Sequence, residues 1–262
     1  LFFNRYPDRN YGWGNKASAL VVEVDNAGNR DTLNYLNFNS DRLKFSPVVL
    51  HKIKHNLYLG LQYDMEYLFH YDVIPEEYHY INADSVMIQS MPVTGTRSGI
   101  GVQLLYDTRD YIMNPLKGSL FEVNLLNYGA YLGSDYSFTS FYADLRQYVN
   151  IFKNHTFAMR AYGSARWTDD DVPMLALSRV GGHKFIRGYF KGTYQDFNMG
   201  AFEMEYRLPL WPEGTDSHLW QVWKRLGLVS FVSGAHVAHT MSDFKMNQFN
   251  LAAGGGLRIL FN

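Results

Sequence analysis

From Leu57 to Phe69 the chain alternates without a break, setting Leu57, Leu59, Leu61, Tyr63, Met65, Tyr67 and Phe69 against Tyr58, Gly60, Gln62, Asp64, Glu66 and Leu68. A period of two places these sets on opposite faces of one β-strand. The strand hides Asp64 and Glu66 on one side and shows large apolar groups on the other. That polarity suits a barrel wall with lipid outside and a polar lumen inside. Four further segments repeat the pattern: Ile100–Arg109 (Gln103, Asp107 and Arg109 inward), Ser119–Tyr131 (Glu122 and Asn124 inward), Thr139–Ile151 (Asp144, Arg146 and Tyr148 inward) and Thr156–Trp167 (Arg160 and Arg166 inward). Each matches the roughly 9–11 residues that a tilted strand needs to cross a bilayer. Asn198–Leu210 and Leu251–Phe261 read the same way, the first with Glu203, Glu205 and Arg207 inward and the second with Arg258. The less regular Leu1–Arg5, Ala17–Asp25, Thr32–Asn39, Leu43–Ile53 and Leu226–Ala238 bring the expected count to twelve.

The connections alternate in length. Lys54-His55, Asn114–Lys117 and Lys153-Asn154 are short, whereas Tyr71–Arg97 and Thr168–Gly192 are long. Outer-membrane barrels distribute periplasmic turns and extracellular loops in this way. Trp211–Arg225 breaks the rule on the short side, and its spacing predicts a brief amphipathic helix with Trp220 and Trp223 as interfacial anchors, or else a partner-docking site.

Composition narrows the function. A net charge of −1 with interspersed signs offers no field for nucleic acid, and the absence of cysteine removes disulfides, zinc–thiolate sites and thiol catalysis. Aromatic residues make up 16%, with 20 Tyr and 18 Phe, which fits interfacial girdles; the competing reading is a Tyr-rich soluble sandwich. No apolar run reaches about 18 residues, so a transmembrane helix is not expected. Nothing divides the chain, and residues 1–262 read as a single outer-membrane β-barrel domain. The first residues carry neither Met nor a signal-like apolar segment, as expected of a mature or trimmed form.

Residues Gly181–Asp196 read GGHKFIRGYFKGTYQD and place Arg187, Gly188 and Tyr189 in a long polar connection between two strands. A surface hairpin loop and a functional loop fit equally well, because loops of this length are uncommon unless functional or disordered. Glu203 and Glu205 face inward on the next strand, so a guanidinium–carboxylate tether to Arg187 is the expected contact. Tyr106–Gly118 reads YDTRDYIMNPLKG. There Asp107, Arg109 and Asp110 are expected to satisfy backbone groups and one another, while Pro115 and Gly118 shape the turn.

The IRGY loop followed by EYRLPL (Glu205–Leu210), together with the D-x-R-D…P-x-x-G turn, resembles the BamA/TamA-type outer-membrane assembly and secretion barrel superfamily (bacterial surface antigen type). Gly192, Tyr194 and Asp196 in KGTYQD resemble its branch without POTRA domains most. The resemblance implies an all-β, transmembrane antiparallel barrel of sixteen strands whose RGY loop folds back into the lumen. On that frame NLAAGGGLRILFN resembles the third-last strand, so terminal strands are expected to be missing. One position departs from the pattern: Phe231-Val232-Ser233-Gly234 carries Ser233 where better-known insertases have an aspartate that meets the arginine.

The resemblance implies protein insertion or translocation at the outer membrane of a Gram-negative bacterium. Outer-membrane lipid and lipopolysaccharide are then the surroundings, and envelope proteins or lipoproteins the partners. A structural or docking subunit of a larger complex, a membrane anchor for an effector, and a passive pore remain the alternatives. No cofactor, metal or catalytic residue is expected. Ser164, Ser233, His236 and His239 are the residues to inspect for lipid chemistry, but no G-x-S-x-G elbow accompanies them, and His236 and His239 fall on opposite strand faces.

Overall fold

Alternating side chains need partners on both edges of every strand, and the computed structural model supplies them through a chain of hairpins. It describes residues 2–10, 21–24, 30–33, 36–74, 79–80, 94–152, 155–168, 172–173, 176–182, 185–210 and 226–259. In chain order the strands are β1 (Phe2–Asn10), β2 (Val21–Val24), β3 (Arg30–Leu33), β4 (Leu36–Phe45), β5 (Val48–Lys54), β6 (Leu57–Ile74), β7 (His79–Tyr80) and β8 (Gly95–Asp107). They continue with β9 (Gly118–Tyr128), β10 (Phe138–Phe152), β11 (His155–Trp167), β12 (Ser178–Val180), β13 (Tyr194–Asp196), β14 (Asn198–Pro209), β15 (Leu226–Ala238) and β16 (Asn250–Ile259).

The main sheet runs β1-β4-β6-β8-β9-β10-β11-β14-β15-β16, every neighbour antiparallel, with β5 also on β6. This is the up-and-down meander of a transmembrane barrel. Among the described residues, β1 and β16 are not paired with each other. No helix among them is long and apolar enough to cross a membrane.

Among the described residues ten lines of strand make up this wall where twelve are expected. β4 and β5 are one line, since Phe45 opposes Met65 and Val48 opposes Gln62 in the same register along β6. Pro47 interrupts the line because it has no N–H to donate, yet its carbonyl still accepts from Tyr63 N at 3.1 Å. The segment expected at Ala17–Asp25 contributes β2, which pairs with β3 and β7 in a separate three-stranded sheet. That sheet is assembled from the connections after β1 and β6, both on the long-loop side. Lys153-Asn154 and Trp211–Arg225, with Trp220 and Trp223, lie outside the described residues.

The two faces carry opposite chemistry. On β6, Leu59, Leu61, Tyr67 and Phe69 are exposed, Leu61 by 62%, while Asp64 and Glu66 keep only 3% and 6%. In water this would be an inverted protein; against lipid it is the favourable arrangement. The inward charges are paired across strands. Arg97 on β8 binds Glu66 and lies 3.8 Å from Asp64, which also meets Lys44 at 3.6 Å and the Tyr128 hydroxyl at 2.7 Å. Asp144 on β10 accepts from Arg146 at 2.7 Å and Arg160 at 2.6 Å, and Glu122 accepts from Gln103 at 2.8 Å and Tyr142 at 2.6 Å.

Leu61→Arg places a cation on the apolar face, and a lipid-facing position sets its cost at about 2–4 kcal/mol, read from denaturant unfolding in bilayers. A water-exposed position would lose no more than about 0.5 kcal/mol.

Candidate functional site

The connection between β11 and β14 is built to return to the sheet rather than to leave it. β12 and β13 pair antiparallel, with Ser178, Arg179 and Val180 opposite Asp196, Gln195 and Tyr194, and form a stem. Above the stem the Gly182 N–H donates to Tyr189 O at 2.8 Å and the Gly192 N–H to Val180 O at 2.9 Å. The two halves come so close that a Cβ on Gly181 would stand 2.0 Å from Phe190 O. Gly188 adopts φ of 92°, a left-handed conformation that favours glycine, and so turns the chain between Arg187 and Tyr189.

The tip is anchored by apolar packing and by charge. Ile186 and Val180 are fully buried against Met199 and Ala201 of β14 and Ala235 and Val237 of β15. Phe185 packs on Tyr162 with ring centres 4.5 Å apart, and the Arg160 guanidinium lies 5.1 Å from its centre. The Tyr189 hydroxyl donates to Leu251 O at 3.2 Å, so the loop reaches from β11 across β14 and β15 to β16.

Arg187 Nη2 lies 3.1 Å from Glu203 Oε1 and also binds the Glu205 carboxylate. Its guanidinium stacks 4.5 Å from the centre of the Phe231 ring. The Phe231 contact has no local signature, although this aromatic opens the stretch in which Ser233 replaces an aspartate. Ser233 is fully buried, stands opposite Glu203 in the β14–β15 register, and its hydroxyl makes no hydrogen bond.

Glu205 is shared. Arg207 Nε donates to it at 2.5 Å, while Arg207 Nη1 donates to Pro115 O at 3.3 Å and the guanidinium covers the Tyr148 ring at 5.5 Å. Pro115 belongs to the β8–β9 turn, which β10 and β11 separate from β14 along the sheet. The loop on one rim and the turn on the other are thereby joined through Glu205 and Arg207.

Most of that turn's remaining hydrogen bonds are made within it. Asp107 accepts from Arg109 N at 3.1 Å, Nε at 2.9 Å and Nη2 at 2.8 Å. Asp110 Oδ1 accepts from the N–H groups of Tyr111 at 2.9 Å, Leu116 at 3.0 Å and Lys117 at 3.3 Å. Gly118 closes it at φ of 106°, where a Cβ would press on Thr108 O at 2.3 Å. What the turn leaves outside is Tyr111, Ile112 and Met113, the last 92% exposed.

The residues inspected for lipid chemistry do not assemble a catalytic group. Ser164 Oγ meets Ser178 Oγ at 2.6 Å, His236 is buried against Phe244 and Phe249, and His239 Nδ1 faces Asp196 at 3.4 Å. Among the described residues no three His, Asp or Glu side chains gather as a metal site.

A family model described as the Omp85 superfamily domain matches residues 2–261. Among solved structures, BamA from Haemophilus ducreyi lacking POTRA domains 1–3 superposes with a TM-score of 0.59 over 86% of this chain at 15% identity. The match covers 52% of that BamA chain, so the present chain spans about half its length. No curated protein matches the sequence.

The Asp110 contacts carry a pH dependence. Partial burial raises its pKa, but the N–H groups of Lys117, Leu116 and Tyr111 together hold the carboxyl below its usual range. Its support of the turn is complete above the unfolded carboxylate value of about 3.9 and is lost as pH falls through the lower folded value. Hydrogen exchange at Leu116 and Lys117 is expected to quicken in Asp110→Ala at neutral pH and in the native chain only under strong acid.

Proposed function

The chain belongs to the Omp85 superfamily, and from that premise we propose that it inserts or translocates proteins at the outer membrane of a Gram-negative bacterium. In this reading the Arg187-Gly188-Tyr189 loop is the lumen plug and Glu203 and Glu205 are its tether. The long-loop rim faces outward, the Asp107–Gly118 turn faces the periplasm, and lipid with lipopolysaccharide surrounds the wall. The observation that carries the reading is the double carboxylate grip on Arg187. It holds a loop of this length against the charged face, where a passive pore would leave it clear.

Charge-assisted contacts of this kind contribute on the order of 1.5–3 kcal/mol each when partly buried. Their larger effect is on position, because Arg187 has one guanidinium plane to satisfy between two carboxylates and a ring. Movement of the plug then requires that Arg187 leave Glu205 while Arg207 still neutralises it, which lowers the cost of release.

A second reading as a docking subunit is favoured by Tyr111, Ile112 and Met113, an exposed apolar tip on a rigid turn of the short-loop rim. An envelope protein or lipoprotein would be its partner.

Two measurements test these readings. Arg187→Ala is expected to raise single-channel conductance in planar bilayers by severalfold, and unchanged conductance would sink the plug assignment. Depletion of the protein in its host is expected to lower the amount of heat-modifiable, assembled outer-membrane barrels. Normal barrel levels, with loss of a defined envelope complex, would transfer the function to the docking reading.

A further inference from the structure

On the long-loop rim the wall opens between β11 and β14. β10 and β11 stay paired up to Thr139 and Trp167, and β14 and β15 up to Asn198 and Ala238, but β11 and β14 part after Ser164 and Met199. Residues 165–167 therefore have no ladder partner on the β14 side. A cavity of about 680 Å³ occupies the split, a volume typical of small-molecule sites.

Its lining joins an apolar wall, made by Trp167, Phe197 and Met241, to two polar side chains with unmet capacity. Arg166 donates to Phe197 O at 3.1 Å and to the Ser178 hydroxyl, both neutral, and among the described residues no carboxylate pairs with it. Its Nε is buried without an acceptor. Asn198 spends its amide N–H groups on Ala238 O at 3.3 Å and His239 O at 2.8 Å, which leaves its Oδ1 as a buried acceptor without a donor. The nearby Asp196 is engaged with His239 and with the Phe197 N–H. The Thr168 and Thr240 hydroxyls are already bonded to Ser137 O and Asp243.

A guanidinium lacking a counterion calls for an anion, and an orphan acceptor beside it calls for a donor. Trp167, half-exposed on the lipid-facing side of β11, and Met241 set an apolar mouth next to them. We propose that this split is a binding site for a phospholipid headgroup, its phosphate on Arg166, its hydroxyl or ammonium arm on Asn198, and its glycerol backbone along Trp167 and Met241. The site is separate from the Arg187 loop tip and does not depend on the insertion function.

Native mass spectrometry of the full chain in neutral detergent tests this, with phosphatidylethanolamine, phosphatidylglycerol, phosphatidylcholine, diacylglycerol and inorganic phosphate as probes. One retained phosphatidylethanolamine or phosphatidylglycerol is expected, with phosphatidylcholine at least tenfold weaker for want of a donor arm and diacylglycerol not retained. Arg166→Gln is expected to weaken retention about tenfold. Since that substitution also removes a bridge across the split, heat-modifiable gel migration checks that the barrel is folded. Met241→Glu, at the exposed mouth, provides a second variant that repels the phosphate without touching the bridge. Equal retention in both variants overturns the proposal. Displacement of the lipid by inorganic phosphate at equal concentration overturns it as well, by assigning the site to the free anion.

Discussion

Inside hydrocarbon a backbone N–H or C=O has no water to turn to, and leaving one unpaired costs several kcal/mol. This constraint governs the whole wall. It explains why consecutive strands pair with their immediate neighbours through hairpins, and why the Pro47 interruption still contributes its carbonyl to Tyr63. It also explains why departures from pairing gather at rims and edges. The β2–β3–β7 sheet, the β12–β13 stem and the β11–β14 split all belong to the long-loop side. With the backbone committed to the ladder, side chains are left to distinguish inside from outside.

The interior solves a second problem with the same economy. Turning Asp64, Glu66, Glu122 and Asp144 inward removes them from lipid but crowds like charges into a narrow space. Each is met by donors from other strands, so that Arg97, Arg160, Tyr128 and Tyr142 tie the strands together in local clusters. Pairs of this kind are weak evidence for stability, since desolvation offsets much of the attraction. Their value lies in register, because sliding a strand by one residue would send its charges into lipid.

The Arg187 loop uses that interior as a docking surface. Ile186 and Val180 supply burial without direction, and the carboxylates supply direction. Because Glu205 also holds Arg207, and Arg207 reaches Pro115, the loop and the opposite turn share one electrostatic element. Sharing a carboxylate between two guanidinium groups also means that neither end need leave a bare buried charge when it moves.

Much of this was legible along the chain. Leu57–Phe69, Thr139–Ile151, Thr156–Trp167, Asn198–Leu210 and Leu226–Ala238 come within a few residues of β6, β10, β11, β14 and β15. Period-two alternation is a local property, and a wall with lipid on one side enforces it at every step. The inward placement of Glu203 and Glu205 follows from the same parity. Sequence by itself thus determined these crossings and which face their side chains take. Only the tertiary structure decided which strands share a sheet, that Ala17–Asp25 joins a separate one and that two expected strands are a single line interrupted at Pro47. The Phe231 ring beneath Arg187, the reach of Arg207 to Pro115 and the gap beside Arg166 are of the same kind. All depend on pairing between residues far apart in the chain, and parity along one strand carries no information about what lies on the next.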